Sequence, residues 1–375
     1  MSPSTRATVA DVQLLSGPTV DVHTHVYLPS YIDYLRSRKE VPRIFRAESG
    51  EDRLVILPGE DKDSSTAKGR PIGKEYYDVD TKLEFMDVHK IDASVISLAN
   101  PWLDFMDPST ASPLAAQINS DLQSICAKDY GDDGAKKVLY GLGCLPTTSV
   151  EGSVKALEHL AEMDRMRGVL MGTYGKGKGL DDPEFEPVFA KAEELGLPIF
   201  IHPHYGIPSE MYGDMPNGHV MSLALGFPFE TTISITRIIL AGVLDRYPKL
   251  KLILAHSGGV APYLVGRLDS CVKHDRHISQ RLKKPPSEVS PIYLKSLYYD
   301  AVSYNPAPLR SLCDLVGSDR VMFGTDNPFF PPLEGISGRW ESVDTNYGAI
   351  AGLENVDWMK GVKGTNAARI LDLHV

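Results

Sequence analysis

The chain alternates short apolar runs, rich in β-forming residues, with longer segments of helical periodicity, and this alternation constrains the fold more than any other feature. A strand-helix order repeated in this way predicts an α/β protein with a parallel sheet and helical crossovers. We predict eight strands, at residues 19–25, 93–99, 137–145, 167–172, 198–202, 250–256, 297–302 and 320–326. The main helices are predicted between them, at residues 111–129, 153–164, 185–195, 231–247, 260–274 and 308–316.

Eight strands of nearly continuous apolar character favour a closed (β/α)8 TIM barrel over an open doubly wound sheet. An open sheet would carry a glycine-rich phosphate loop after its first strand, and here that place holds His23 and His25. We therefore predict one barrel domain over residues 1–375. Its longest insertion, about residues 26–78, follows the first strand, so we expect it to form a lid or substrate loop over the carboxyl-terminal face of the barrel.

Composition narrows the classes of partner. A net charge of -10 argues against a nucleic-acid or anionic-membrane surface as the main purpose and leaves a small-molecule substrate. The four cysteines are far apart in sequence, which fits a reducing, cytoplasmic setting better than a disulfide framework. Residues 1–17 contain no continuous apolar block, so we interpret them as a short disordered lead rather than a signal peptide or membrane span.

Polar side chains stand at the ends of several predicted strands. His23 and His25 end the first strand, His202 the fifth, His256 the sixth and Asp326 the eighth. In a strand, residues two apart project to the same face, and in a barrel the carboxyl ends of all strands meet at one mouth. These groups are therefore expected to share one pocket, although they are separated by up to about 300 positions in sequence.

Imidazole and carboxylate groups that converge in this way predict a metal site. We select His23, His25, His202 and Asp326 as ligands, with zinc as the metal and manganese or iron left open, because the residue types suit all three. Asp326 is also a candidate proton donor or acceptor at the substrate, and His256 a candidate catalytic group. The role of His204 stays open between structure and function. The other histidines are interpreted as surface or packing residues: His89, His159, His219, His274, His277 and His374.

Four motifs resemble the amidohydrolase superfamily, in its decarboxylase branch that includes aminocarboxymuconate semialdehyde decarboxylase. They are VDVHTH at residues 20–25, HPH at 202–204, AHSGG at 255–259 and FGTD at 323–326. A narrower similarity, to fungal isoorotate decarboxylases, lies in SLANPW at 97–102, HPHYG at 202–206, LGFP at 225–228 and FGTDNPFFPP at 323–332. Asn327 departs from this pattern, because the relatives are expected to have histidine there.

The resemblance implies loss of CO2 from a planar ring acid, uracil-5-carboxylate in particular, at a zinc centre held by the four ligands. It also implies that six residues contact the substrate or support the site: Arg70, Asn100, Phe227, His256, Arg267 and Phe329. From sequence alone, several of these residues could equally have a structural role. Arg70 and Arg267 also suit solvated or ion-paired positions, and the phenylalanines also suit the core.

The same sequence features also fit other functions. The same ligands could activate water in an amidohydrolase or lactonase, or the decarboxylated acid could be a benzoic or muconate-semialdehyde acid. A metal-binding scaffold without catalysis is a third class. The fourth strand, residues 167–172, contains no lysine to bridge two metals, which favours a single metal. Relatives in this branch imply a homodimer, and the loop at residues 338–340 is one place where a partner could be reached.

Overall fold

The computed structural model describes residues 7–57, 60–62, 68–131, 137–215, 217–284 and 289–375. The strands are β1 (Val20–Val26), β2 (Arg43–Arg46), β3 (Asp52–Val55), β4 (Arg70–Pro71), β5 (Ala93–Leu98), β6 (Val138–Cys144), β7 (Met166–Met171), β8 (Ile199–Ile201), β9 (Leu252–Leu254), β10 (Tyr298–Asp300) and β11 (Val321–Met322). Eight of them are parallel and form the barrel, in the order β1, β5, β6, β7, β8, β9, β10, β11.

The barrel closes between its first and last strands. Val22 N–H donates to the Phe323 carbonyl at 3.0 Å, and Asp326 N–H donates to the His23 carbonyl at 2.8 Å. The predicted (β/α)8 barrel is thus confirmed. The last strand is shorter than the predicted residues 320–326, because the chain leaves regular strand geometry after β11 and Asp326 takes a left-handed φ of 60°.

Helices surround the barrel, and their starts follow recognisable caps. The Asp107 side chain, for example, accepts from the Ser109 and Thr110 N–H groups, and Pro108 occupies the first helical position that follows. The helices are α1 (Val9–Leu14), α2 (Pro29–Ser37), α3 (Lys74–Tyr77), α4 (Val79–His89), α5 (Pro108–Cys126), α6 (Val150–Ala161), α7 (Glu186–Leu195), α8 (Phe227–Leu240), α9 (Val243–Arg246), α10 (Ala261–His274), α11 (Arg276–Ser279), α12 (Val289–Ser296), α13 (Pro306–Val316), α14 (Glu341–Ala351), α15 (Val356–Lys360) and α16 (Asn366–Ile370).

The barrel strands are buried on both faces. All six residues of β5 are buried, and so are all those of β8 and β9. One face of each strand fills the barrel interior and the other packs under the helices, which explains why the strands appear in the sequence as continuous apolar runs.

The insertion after β1 is folded. It contains α2, a three-stranded antiparallel sheet in the order β2, β3, β4, and α3. Residues 58–59 and 63–67 of the predicted lid lie outside the described residues. The sheet carries Arg70, on β4, to the mouth of the barrel.

The expectation of a disordered lead at residues 1–17 is wrong for its second half, while residues 1–6 lie outside the described part of the chain. Thr8 and Asp11 form a reciprocal capping box that starts α1, and Val12 is fully buried. Two satisfied backbone donors and one buried apolar side chain are enough to order this turn and a half of helix.

One helical stretch of the described residues, Ser222–Leu240, is long and apolar enough to cross a bilayer, and 44% of its most apolar window is buried. Most of the stretch is α8, whose buried face includes Ile235, Ile238 and Ile239. Packing against the barrel accounts for much of this apolar character.

Candidate active site

The four predicted ligands lie together at the carboxyl end of the barrel. Their ligand atoms are all within 4.8 Å of one another, and all four side chains are buried. Asp326 Oδ1 is 3.4 Å from His23 Nε2 and 3.6 Å from His25 Nε2. His202 Nε2 is 3.1 Å from His23 Nε2. The cluster predicted from the strand ends is therefore present, formed by residues from β1 and by residues that follow β8 and β11.

Each histidine of the cluster is oriented through its other ring nitrogen. His23 Nδ1 contacts Asp300 Oδ2 at 2.6 Å, His25 Nδ1 contacts Ser97 Oγ at 3.0 Å, and His202 Nδ1 contacts the Pro203 carbonyl at 2.6 Å. Such contacts fix the ring planes and leave the Nε2 atoms to face the shared centre.

The cluster suits a metal cation. His25 Nε2 is buried and has no hydrogen-bond partner among the described residues, as expected of an atom that is placed to ligate. Burial lowers the pKa of His25 to about 4, so its ring is neutral near pH 7. Metal ligands must be deprotonated, and this ring already is.

The electrostatics of the cluster also favour a metal cation. Burial works to raise the pKa of Asp326, but the charge on His23 and the nearby imidazoles of His25 and His256 hold it well below its usual range. Burial works to lower the pKa of His23, yet the Asp326 and Asp300 carboxylates raise it above the ordinary value. Two carboxylates that draw a proton onto a fully buried ring create a place where a cation is favoured. Three imidazoles and one carboxylate suit zinc, manganese or iron.

A cavity of about 1300 Å³ opens beside the cluster. Its walls include His202, Asp326 and His256. His256 Nε2 lies 3.7 Å from Asp326 Oδ2, and its Nδ1 is buried and unbonded within the described structure. The cavity thus gives a ligand direct access to both predicted catalytic groups.

Four of the predicted substrate contacts line the same cavity: Arg70, Asn100, Phe227 and Phe329. The Arg70 guanidinium lies over the Phe329 ring, 4.6 Å from its centroid. Arg70 Nη1 and Asn100 Oδ1 are both buried without a hydrogen-bond partner in the described part of the chain. A free donor and a free acceptor beside two aromatic walls suit a flat polar ring.

Arg267 is not brought to this cavity. It is an exposed residue of α10 and borders a separate shallow groove with Thr232 and Ile235 of α8. The helix carries this side chain to the outside of the barrel, where an arginine is ordinarily solvated.

His204 is buried next to the site. Its ring contacts Trp102 and Tyr205, and burial lowers its pKa to about 3. Its loop is held by Glu230, whose carboxylate accepts the N–H groups of residues 204, 205 and 206 at 2.5 to 3.0 Å. His204 therefore stands on a rigid support in a neutral form.

Several polar residues around the centre were not predicted from the sequence. Asp300 orients His23 from the end of β10, and the strand-end rule would have found it had that strand been ended at residue 300. Tyr304, just beyond, lines the cavity, and no sequence pattern marks it. His219, interpreted as a surface or packing residue, is half-buried and also lines the cavity.

Lys82, on α4, is a further buried residue that the sequence did not indicate. Its ammonium group donates to Asn327 Oδ1 at 2.7 Å and to the Thr24 hydroxyl. Asn327, which replaces the histidine expected in relatives, therefore has a firm partner and braces the loop that follows Asp326.

Known proteins resemble this chain in sequence or in structure. The crystal structure of Metarhizium anisopliae IDCase in apo form superposes with a TM-score of 0.88 at 41% identity, covering 95% of this chain and 97% of that one. The 2-amino-3-carboxymuconate-6-semialdehyde decarboxylase of Dictyostelium discoideum is 29% identical over 263 residues, 69% of each chain. A gamma-resorcylate decarboxylase from a Rhizobium species is 26% identical over 266 residues, 67% of this chain and 76% of its own. A model of the amidohydrolase family matches residues 20–373, so the chain belongs to the amidohydrolase family.

Proposed function

We propose that this protein is a metal-dependent, non-oxidative decarboxylase of a planar ring carboxylic acid, with uracil-5-carboxylate as the preferred substrate and zinc as the metal. The observation that carries the proposal is the buried His23, His25, His202 and Asp326 cluster, which opens onto a cavity with a free donor and a free acceptor. Decarboxylases among the similar proteins, and the 41% identity to IDCase, support the reaction and the substrate.

The reaction breaks the bond between the ring carbon and the carboxylate, leaves the electron pair on the ring and places a proton on that carbon. A metal held by the four ligands would stabilise negative charge that develops on an adjacent substrate oxygen. Asp326 is placed to deliver the proton, because its carboxyl group faces the cavity from within the cluster. His256, 3.7 Å from Asp326, is placed to pass a proton to it.

Substrate orientation falls to the cavity walls. Arg70 pairs through its planar fork with a carboxylate or ring carbonyl, and its stacking on Phe329 limits where that fork can point. Asn100 Oδ1 accepts from a ring N–H. Phe227 and Phe329 confine the ring and exclude water from it.

The test is to incubate purified, metal-analysed protein with uracil-5-carboxylate and a panel of hydroxybenzoic acids while following CO2 release. We expect uracil and CO2 in equal amounts, and no turnover by Asp326→Ala. Hydrolysis of an amide or lactone without CO2 release would refute the proposal. Near-wild-type activity in a folded Asp326→Ala protein would refute the assigned mechanism.

A hydroxybenzoic acid is the second candidate substrate. The cavity volume of about 1300 Å³ is larger than a pyrimidine acid needs, and the gamma-resorcylate decarboxylase is among the similar sequences. Asn100→Leu separates the candidates: it should impair a pyrimidine acid, which presents ring N–H groups, far more than a benzoic acid, which has none.

We also propose a homodimer, to be tested by light scattering during gel filtration. In the loop at residues 338–340, Trp340 is buried against Phe85, while Arg339 pairs with Asp344 and stays exposed. Exposed apolar side chains on the stretch around α8 support the proposal better: Val220, Leu225, Phe229 and Ile233. A monomer at micromolar concentration would refute it.

A further inference from the structure

Tyr304 is a cavity residue that the proposed mechanism leaves unused. It follows β10 and lines the same cavity as Asp326 and His256. Its ring contacts Phe330 at a centroid distance of 5.9 Å, and its backbone N–H donates to Asn346 Oδ1 at 3.1 Å. Its φ of 52° lies in the left-handed region, which bulky side chains rarely adopt. Backbone and ring are therefore held in an unusual conformation at the edge of the site.

The hydroxyl of Tyr304 is buried, and it has no hydrogen-bond partner among the residues that the structure describes. A buried hydroxyl without a partner destabilises a fold, so this one calls for a hydrogen-bond partner that the described chain does not supply. Burial raises the pKa of this phenol well above its usual range. The phenol therefore keeps its proton at neutral pH and can donate a hydrogen bond.

Strand order places this donor on a different side of the cavity from Asn100. Tyr304 follows β10 and Asn100 follows β5, three strands away around the closed barrel. The acidic groups near Tyr304 are Asp326, which is committed to the metal cluster, and Asp300, whose oxygens bind His23 and three backbone N–H groups. Neither carboxylate is within hydrogen-bond distance of the phenol in this structure, so the donor is left for a ligand.

We propose that the Tyr304 hydroxyl donates a hydrogen bond to an anionic carboxylate oxygen of the bound ring acid. This inference rests on the proposed function for the class of ligand. It makes Tyr304 a substrate-binding residue that recognises the group to be lost, while Asn100 recognises the ring.

The test compares wild type with Tyr304→Phe, which removes only the hydroxyl, and with Tyr140→Phe as the matched control. The buried Tyr140 hydroxyl donates to the His374 carbonyl at 3.1 Å, far from the cavity. We expect Tyr304→Phe to raise KM for the best ring acid by about 10- to 100-fold, the range for losing a hydrogen bond to a charged group. Its Tm should equal or exceed that of wild type, because no bond is lost. Tyr140→Phe should lower Tm and leave the kinetics unchanged.

Inhibition by the decarboxylated product shows which part of the substrate the Tyr304 hydroxyl contacts. The product lacks the carboxylate, so its inhibition constant should change less than about twofold in Tyr304→Phe. Unchanged KM, an equal loss of affinity for acid and product, or a Tm that falls as far as in Tyr140→Phe would each overturn the inference. If wild type turns over none of the acids, the proposed function fails by itself. The Tyr304 contact is then measured directly as the ratio of Kd values for uracil-5-carboxylate, with the same expected range.

Discussion

Asp300→Asn tests whether the metal centre depends on the carboxylate behind it. In the structure, Asp300 Oδ2 accepts from His23 Nδ1 at 2.6 Å and from the His256 N–H at 2.8 Å. Oδ1 accepts from the Ser257 and Val302 N–H groups at 2.8 and 3.0 Å. An amide has one acceptor only. If the amide oxygen takes the Oδ1 position, the NH2 group lies opposite two donors, His23 Nδ1 and the His256 N–H. The NH2 group then drives the His23 ring towards the tautomer that carries its proton on Nε2.

Two consequences can be given magnitudes. Loss of the partner that orients a ligating histidine costs about 10- to 100-fold in metal affinity, or roughly 1.4 to 2.7 kcal/mol. Two lost hydrogen bonds to a buried charge, at about 1.5 to 3 kcal/mol each, cost about 3 to 6 kcal/mol in the free energy of unfolding of the metal-free protein. The first figure concerns binding and the second concerns folding, so they are measured separately.

Zinc affinity is measured by competition with a chromophoric chelator at pH 7.5, and stability by urea unfolding of the metal-free protein. The control is Asp104→Asn, a half-buried carboxyl changed to its amide, whose hydrogen-bond partner is Tyr205 rather than a member of the cluster. Its zinc affinity should match wild type. If Asp300→Asn loses stability but binds zinc within twofold of wild type, Asp300 supports the fold alone and the reasoning is refuted.

Three further predictions concern stability. Burial raises the pKa of Asp104 from 3.8 to about 6, so its ionisation opposes folding as pH rises through this range. Asp104→Asn should add roughly 1 to 2 kcal/mol at pH 7.5, discounted for partial exposure, and nothing at about pH 3 in urea unfolding. Lys82→Met removes the buried hydrogen bonds to Asn327 and Thr24 and should cost about 3 to 6 kcal/mol, at about 1.5 to 3 kcal/mol for each bond from a charged group, whereas a loss below 1 kcal/mol would show that the ammonium is dispensable. The exposed Lys90 ends α4 at φ 59°, so Lys90→Gly should raise stability by about 1 kcal/mol, visible as a higher Tm.

The barrel and the ligand cluster could be predicted from sequence because both follow from strand order. Once His202 and Asp326 are known to end parallel strands of a closed barrel, their approach to β1 is a matter of topology. Arg70 and Arg267 could not be separated in this way. Arg70 lies in an insertion whose path is set by tertiary packing. Arg267 lies on α10, and which side of α10 faces outward depends on how the helix is rotated about its axis. The local sequence pattern fixes neither the path nor the rotation.

The backbone conformation around the ligand cluster is the feature that is least predictable from sequence. Asp326 and His256 both have left-handed φ values, 60° and 52°, at a cost of about 1 to 3 kcal/mol each. Two buried carboxylates hold these turns in place. Asp300 binds the His256 N–H, and Asp21 accepts from the Thr325 N–H at 3.0 Å and from its hydroxyl at 2.6 Å, directly before Asp326. Because these bonds are formed by the chain itself, the ligand geometry is set during folding, and we expect the cluster to persist when the metal is removed.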